Sequence, residues 1–146
     1  MNKESILSVI NQKLADKNQY LQNLIDETRA SNNDTKSSMG DKYETGREML
    51  QQEINNLQVQ LNEVLKQQNF VKTILIKSCD KVEKGAIVTT DKGQFFISVS
   101  VGEIKIDKEK LICISLESPL AIAMMDKKVD EKFSINNIHQ TIKSIH

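Results

Sequence analysis

Three carboxylates stand close together in the first third of the chain, and their type and spacing could hold a metal ion. Asp34, Asp41 and Glu44 lie in or beside a stretch of Ser, Asn, Thr and Gly residues. Mg²⁺ takes one or two protein carboxylates and completes its coordination with water or with ligands from another molecule. The same acids could instead cap a turn or the N-terminus of a helix, where the helix dipole favours negative charge. The sequence leaves both interpretations open.

The other reactive residue types form no recognisable catalytic or metal site. Cys79 and Cys113 are far apart and have apolar neighbours, which favours reduced, packed cysteines over the alternatives of a disulfide or a metal site. His139 and His146 have no accompanying Cys/His cluster of the kind that binds zinc. The stretch from Thr35 to Lys42 contains Lys and Ser but lacks the spacing of a phosphate-binding loop. We therefore expect no independent enzyme.

Two segments with regularly spaced apolar residues flank the three carboxylates. The first contains Leu7, Ile10, Leu14, Leu21 and Leu24, with Lys17 at one position of the series, and the second contains Tyr43, Leu50, Ile54, Leu57, Leu61 and Val64. Alternating steps of three and four residues are the spacing of coiled-coil seams. Each segment is therefore predicted to form a long helix with one narrow apolar stripe.

The polar stretch between these segments interrupts the pattern. Ser, Asn, Asp and Gly residues favour turns and helix caps. We predict an antiparallel helical hairpin over residues 1–70, with its tip at about residues 31–42. A parallel coiled coil between two copies is the alternative, and the interruption argues against it because an unbroken coil would continue its heptads.

The second half of the chain has the composition of a β-sheet. Apolar and β-branched runs occur at residues 74–76, 87–90, 95–101, 111–115, 132–136 and 140–145. Asp91-Lys92-Gly93 and Asn136-Asn137 are predicted hairpin turns, and Ala121–Met125 is a predicted short helix. The fold class is therefore α+β, with the hairpin followed by a small antiparallel sheet domain with one short helix over residues 71–146.

The most specific motif begins at Ile114-Ser115 and continues through Ser118-Pro119-Leu120, which contains the only proline of the chain. Residues 114–131 resemble the segment ISxxSPLGxALLGKKVGD of the C-terminal domain of bacterial Gre transcript-cleavage factors. Ala121, Asp126 and Asp130 stand where that segment has glycines. Lys84–Val88, Gly102-Glu103 and the surroundings of Tyr43 resemble further family positions. The order of a helical hairpin and a β-rich domain is also that of the Gre family along nearly the whole chain.

The resemblance implies a fold, a partner and a mode of action. It implies an FKBP-like C-terminal domain that docks on RNA polymerase through residues around the proline turn: Ser118, Pro119, Leu120, Met124 and Met125. The residue types favour a different explanation for the apolar members of this segment, which is packing of the domain's only helix in its core: Leu120, Ile122, Met124 and Met125. The resemblance also implies that the hairpin tip enters the secondary channel and contributes to a Mg²⁺ site shared with the polymerase, which itself cleaves the RNA. The protein would hold no cofactor stably by itself.

The tip departs from the family pattern GDLSENAEY. Aligned without gaps on Tyr43, the family's aspartate falls on Lys36 and its first glutamate on Met39. This departure favours an alternative function, which is an interaction or regulatory module of Gre-like architecture that does not stimulate cleavage.

Overall composition sets limits on the partners. The 146 residues carry 20 basic and 20 acidic side chains, so long-range attraction to nucleic acid is not expected, and neither is sequence-specific nucleic-acid binding. No apolar run reaches the length of about 18–20 residues that a membrane span needs. We expect a cytoplasmic protein with no membrane partner.

Overall fold

The computed structural model describes the backbone of residues 2–34 and 41–146, and the side chains of these residues except 33, 34 and 41–45. Two long helices come first: α1 (Lys3–Asp34) and α2 (Asp41–Val71). Six strands and one short helix follow in this order: β1 (Ile87–Thr90), β2 (Gly93–Ser98), β3 (Gly102–Ile106), β4 (Glu109–Ser115), α3 (Pro119–Met124), β5 (Lys132–Ile135) and β6 (Ile138–Ile145). The predicted fold class, a helical hairpin followed by a sheet with one short helix, is confirmed.

The chain divides into two compact units. The hairpin unit is Gln12–Gln68, and the sheet unit combines Met1–Asn11 with Asn69–His146. The sequence-based division after residue 70 assigned the first residues to the hairpin. In the structure they belong to the sheet unit, where Ile6 and Ile10 are fully buried.

The hairpin unit has the apolar seam that the spacing predicted, with one local shift. Leu14 and Leu21 of α1 are buried, and so are Ile54, Leu57, Leu61 and Val64 of α2. Lys17, however, is exposed. Asn18 takes the inward position instead, and its side-chain amide donates to Gln68 Oε1 at 3.1 Å. A four-residue step from Leu14 to Asn18 produces this shift, and it also makes Ile25 more deeply buried than Leu24.

The six strands form one sheet in the order β3-β4-β2-β1-β6-β5. Most neighbouring strands are antiparallel, as expected, but β2 and β4 are parallel. The reason is that the chain reverses direction twice, once between β2 and β3 and once at the two-residue turn between β3 and β4, so β4 runs the same way as β2. The sequence analysis had not identified β3 as a strand.

Both predicted hairpin turns are present, whereas the strand predicted at residues 74–76 is not. The turn at Asn136-Asn137 joins β5 to β6, and both residues have positive φ (50° and 66°), as a type I′ turn requires. The turn after β1 brings Thr90 opposite Gly93. Residues 74–76 form no strand, because their backbone bonds locally, as in the hydrogen bond from Ile74 N–H to Val71 O at 3.1 Å.

The core of the sheet unit lies between one face of the sheet and α3. Its buried members are Cys79, Val82, Ala86, Val88, Phe95, Ile97, Ala121, Met124, Phe133 and Ile142. Burying a side chain of the size of Met or Phe stabilises a fold by about 1.5–3 kcal/mol relative to leaving it exposed. This core therefore fixes the position of α3, which carries the proline turn.

Candidate partner-binding segment

Ser118 and Pro119 start α3 by two local mechanisms. Ser118 has extended backbone angles (φ −67°, ψ 146°), and its Oγ accepts a hydrogen bond from the backbone N–H of Ala121 at 3.2 Å. This is the N-cap arrangement, which satisfies a backbone donor that the first turn of a helix leaves without a partner. Pro119 occupies the first helical position, where its missing N–H costs nothing. The sequence Ser-Pro thus fixes where the segment turns.

The side chains of α3 divide into a buried face and a surface face. Met124 is fully buried in the core, and Leu120 and Met125 are half-buried against it. Of the residues predicted to contact a partner, Met124 therefore does not reach the surface in this structure. Ile122, by contrast, is 63% exposed. The apolar group that α3 offers to another molecule is thus Ile122, together with the exposed Pro119.

The chain after α3 adopts left-handed backbone conformations at two positions. Asp126 has φ 64° and Asp130 has φ 73°. L-residues rarely adopt positive φ, glycine does so without steric cost, and aspartate tolerates it better than most. These are two of the three positions at which the Gre segment has glycine. The backbone here thus has the conformation for which that family's glycines are suited, although the residues themselves differ.

Hydrogen bonds tie this post-helical chain to neighbouring elements. Asp126 N–H donates to Val82 O at 2.9 Å, and Val82 N–H donates to Lys127 O at 2.8 Å. Asp130 N–H donates to Ile142 O of β6 at 2.8 Å. The stretch between α3 and β5 is therefore held at both ends by backbone bonds. At the third glycine position, Ala121 is fully buried, so a small side chain is needed there.

The three carboxylates predicted as magnesium ligands lie in or beside the predicted hairpin tip. Helix α1 ends at Asp34 and α2 begins at Asp41, so both helices extend into the predicted tip. The side chains of Asp34, Asp41 and Glu44 lie outside the described residues. Their roles as magnesium ligands or as caps stay predictions. Within the described part of the chain, no group of three or more His, Cys, Asp or Glu residues could hold a metal ion.

A polar cluster around Cys79 was not foreseen from the sequence. Lys3 is 8% exposed, and its Nζ donates to the backbone oxygen of Lys77 and lies 3.7 Å from Cys79 Sγ. Burial raises the pKa of the Cys79 thiol, and its hydrogen bond to Glu83 raises it further, while the charge of Lys3 opposes both. The same hydrogen bond lowers the pKa of Glu83. The cluster keeps the thiol protonated, and a protonated thiol is a poor nucleophile.

A shallow open groove lies beside the β5–β6 hairpin. Its volume is about 500 Å³, and its lining includes Asp91, Lys132 and His139. Asp91 Oδ1 accepts the backbone N–H of Thr141 at 3.0 Å, and this bond lowers the pKa of the Asp91 carboxyl. The carboxylate thus joins the β1–β2 turn to β6. Its role in the structure is to stabilise this junction.

None of the described helices combines the length and the apolar character that crossing a membrane demands.

Comparisons with known proteins complete the description of the chain. No protein-family model matches it, and no curated protein matches it. Among solved structures, GreA factor homolog 1 (Gfh1) of Thermus thermophilus is similar over 93% of this chain and 94% of its own, with 15% sequence identity and a TM-score of 0.38. Gfh1 of Thermus aquaticus is similar over 92% of each chain, with 13% identity and a TM-score of 0.36. At this level of similarity, the residues of the chain itself must support any function.

Proposed function

We propose that this protein is a Gre-like factor that binds RNA polymerase through its sheet unit and places the hairpin tip in the secondary channel, where it modulates elongation or transcript cleavage. The observation that carries the proposal is the segment from Ser118 to Glu131. It agrees with the Gre segment in its Ser-Pro helix start, and it has positive φ at Asp126 and Asp130, where that segment has glycine. The order of a two-helix hairpin followed by a sheet supports the same proposal.

In this proposal any cleavage of the RNA is catalysed by the polymerase. The tip acids Asp34, Asp41 and Glu44 would contribute carboxylates to a Mg²⁺ ion that the polymerase also holds, and hydrolysis of RNA would take place in the polymerase active site. The protein is then a cofactor of an enzyme rather than an enzyme, and it works in the cytoplasm with its polymerase. The FKBP-like character of the sheet unit belongs to the same proposal.

A second function is favoured by one specific observation, the sequence of the tip. Lys36 and Met39 occupy the positions of two family acids when the chain is aligned on Tyr43. A tip with lysine and methionine at these positions has fewer carboxylates to offer a cation. The protein would then occupy the same channel as a regulatory module without stimulating cleavage.

Binding to polymerase is tested first. In the first experiment the tagged protein is purified from its own host, and we expect RNA polymerase to co-purify with it. In the second experiment the purified protein is mixed with purified host RNA polymerase, and we expect a stable complex. Ile122→Asp should weaken the complex because Ile122 is the exposed apolar side chain of α3. Ile138→Asp is the matched control, since Ile138 is 52% exposed but lies in β6. Absence of polymerase in both experiments would refute both functions.

Cleavage is tested next, on backtracked complexes of the same polymerase. If the tip delivers Mg²⁺, the double variant Asp34→Asn with Asp41→Asn should lose stimulated cleavage and keep polymerase binding. If the unmutated protein binds but stimulates no cleavage at any Mg²⁺ concentration, the regulatory function is correct and the metal role of the tip is wrong.

A further inference from the structure

The strand β3 forms one edge of the sheet. In the order β3-β4-β2-β1-β6-β5, it has β4 on one side and, among residues 2–34 and 41–146, no strand on the other. An edge strand presents backbone N–H and C=O groups to which another strand can bond. The question is which strand fits this edge.

The turn after β3 determines which residues direct their backbone groups outward. Asp107 and Lys108 both have positive φ (49° and 72°), which identifies a two-residue type I′ turn. The flanking pair Ile106 and Glu109 therefore exchanges hydrogen bonds, and bonded and non-bonded pairs alternate from there. It follows that Glu103 and Lys105 direct their backbone N–H and C=O groups away from β4, toward the open edge.

The side chains of β3 are also ordered by this alternation. Ile104 and Ile106 are buried, with 3% and 6% exposure, whereas Glu103 and Lys105 are exposed on the other face. Lys105 stands directly opposite Lys110 of β4, and like charges in this position destabilise a sheet. Glu103 lies 4.0 Å from Lys110 on the same face of the sheet. An acidic side chain beside Lys105 would offset the repulsion.

We propose that β3 is a self-association site, at which β3 of one copy pairs antiparallel with β3 of a second copy around Ile104. This register places Glu103 opposite the partner's Lys105, and Lys105 opposite the partner's Glu103. Both of these pairs use the outward backbone groups, so each exchanges two hydrogen bonds. The dimer thus gains four backbone hydrogen bonds and two pairs of opposite charge.

Charge complementarity selects a second copy over other occupants of the edge. The order Glu-Ile-Lys is its own complement when it is read in the opposite direction, so an identical strand fits it without any adjustment. Charged residues on a short edge strand also serve in many proteins to prevent pairing. The two explanations differ in one measurable property, since a protective edge repels every strand, whereas a self-complementary edge accepts its own sequence.

The test is the oligomeric state of the full-length chain, measured by analytical ultracentrifugation at total concentrations from about 10 μM to about 1 mM, because interfaces of this size are weak. We expect the unmutated protein to dimerise in this range. Glu103→Lys and Lys105→Glu should each raise the dissociation constant about tenfold or more, because each turns two attractive pairs into two repulsive ones. Circular dichroism confirms that each variant remains folded.

Mixing the two single variants gives the sharpest outcome. In a mixed dimer both pairs are again of opposite charge, so an equimolar mixture should dimerise where each variant alone does not. The double variant Glu103→Lys with Lys105→Glu should likewise recover dimerisation to within about threefold of the unmutated protein. Lys132→Glu, the same charge reversal on the opposite edge strand β5, is the control and should leave the dissociation constant unchanged.

Three results would overturn the proposal. They are a monomer throughout the concentration range, a dimer that Glu103→Lys and Lys105→Glu do not affect, and a mixture of these variants that stays monomeric. The second result would indicate association through another surface, such as the hairpin.

Discussion

The left-handed conformation of Asp130 can be tested by replacing it with glycine and with alanine. Asp130 has φ 73°, its side chain is exposed, and its backbone N–H donates to Ile142 O at 2.8 Å. Both substitutions keep this backbone bond and remove the same exposed carboxylate. The two variants therefore differ mainly in the cost of placing a Cβ in the left-handed region.

The size of the difference follows from two opposing contributions. Alanine pays about 1–2 kcal/mol for the left-handed conformation, which glycine avoids. Glycine loses about 0.4–1 kcal/mol because its unfolded chain has more freedom. Asp130→Gly should therefore be more stable than Asp130→Ala by about 1 kcal/mol. For a unit of 60–100 residues this corresponds to a difference in Tm of about 4–8 °C.

The assay is thermal and urea unfolding followed by circular dichroism in the β-sheet region. Glu131 provides a control one residue away, because its φ is not positive. Its Oε1 accepts the backbone N–H of Lys128, and both substitutions remove this bond equally. At this position the order should reverse, with Glu131→Ala more stable than Glu131→Gly. Equal stability of Asp130→Gly and Asp130→Ala, or the same order at both positions, would contradict a left-handed backbone that is costly for a residue with a Cβ at position 130.

Three further predictions test other parts of the structure. Leu57→Asp should lower helicity and melting temperature because it buries a charge in the hairpin seam at a cost of several kcal/mol. Val59→Asp, at a position 68% exposed on the same helix, should change stability little, and equal effects of the two substitutions would show that Leu57 is not in the seam. Ser118→Ala should destabilise the sheet unit by about 1 kcal/mol in urea unfolding through loss of the α3 cap, and Ser118→Asp should retain most of it; an alanine variant as stable as the unmutated protein would argue against the cap. The bond to Thr141 holds the pKa of Asp91 below its normal 3.8, so the stabilisation of the fold by the ionised carboxylate is complete above that pH and is lost as the pH falls through the lowered pKa. The difference in Tm between the unmutated protein and Asp91→Asn should therefore narrow from about pH 7 to about pH 2. A constant difference would show that the ionised carboxylate does not stabilise the fold through this bond.

The elements with strong local signals could be predicted from the sequence. The hairpin seam follows from apolar spacing, since Ile54, Leu57 and Leu61 are all buried. The turn at Asn136-Asn137 follows from residue chemistry, because asparagine tolerates positive φ. The start of α3 at Ser118-Pro119 follows in the same way. In each case the cause lies within a few residues of the effect.

The missed elements depend on neighbours that are distant in the chain. Residues 74–76 have the β-branched composition of a strand, but none of the strand pairings among the described residues involves them. Strand β3 contains two charged residues and is held by its pairing with β4. The choice between Lys17 and Asn18 for the inward position depends on Gln68 of the other helix. For Met124 the sequence left core packing and partner contact both open, and the assembled core decides for burial.

The sheet unit combines two segments that are far apart in the chain, and this affects the order in which the units can fold during protein synthesis. The hydrogen bond from Lys3 to the carbonyl of Lys77 joins residues 74 positions apart, and β1 pairs with β6, which ends at Ile145. Domains generally fold as units while the chain leaves the ribosome. Ile6 and Ile10, which precede the hairpin unit in the chain, must therefore wait for β6 before the unit that buries them is complete. The hairpin unit, which is continuous in the chain, can form well before that point. The nascent protein then passes through a stage in which the two helices are paired while Ile6 and Ile10 of α1 are still exposed to chaperones.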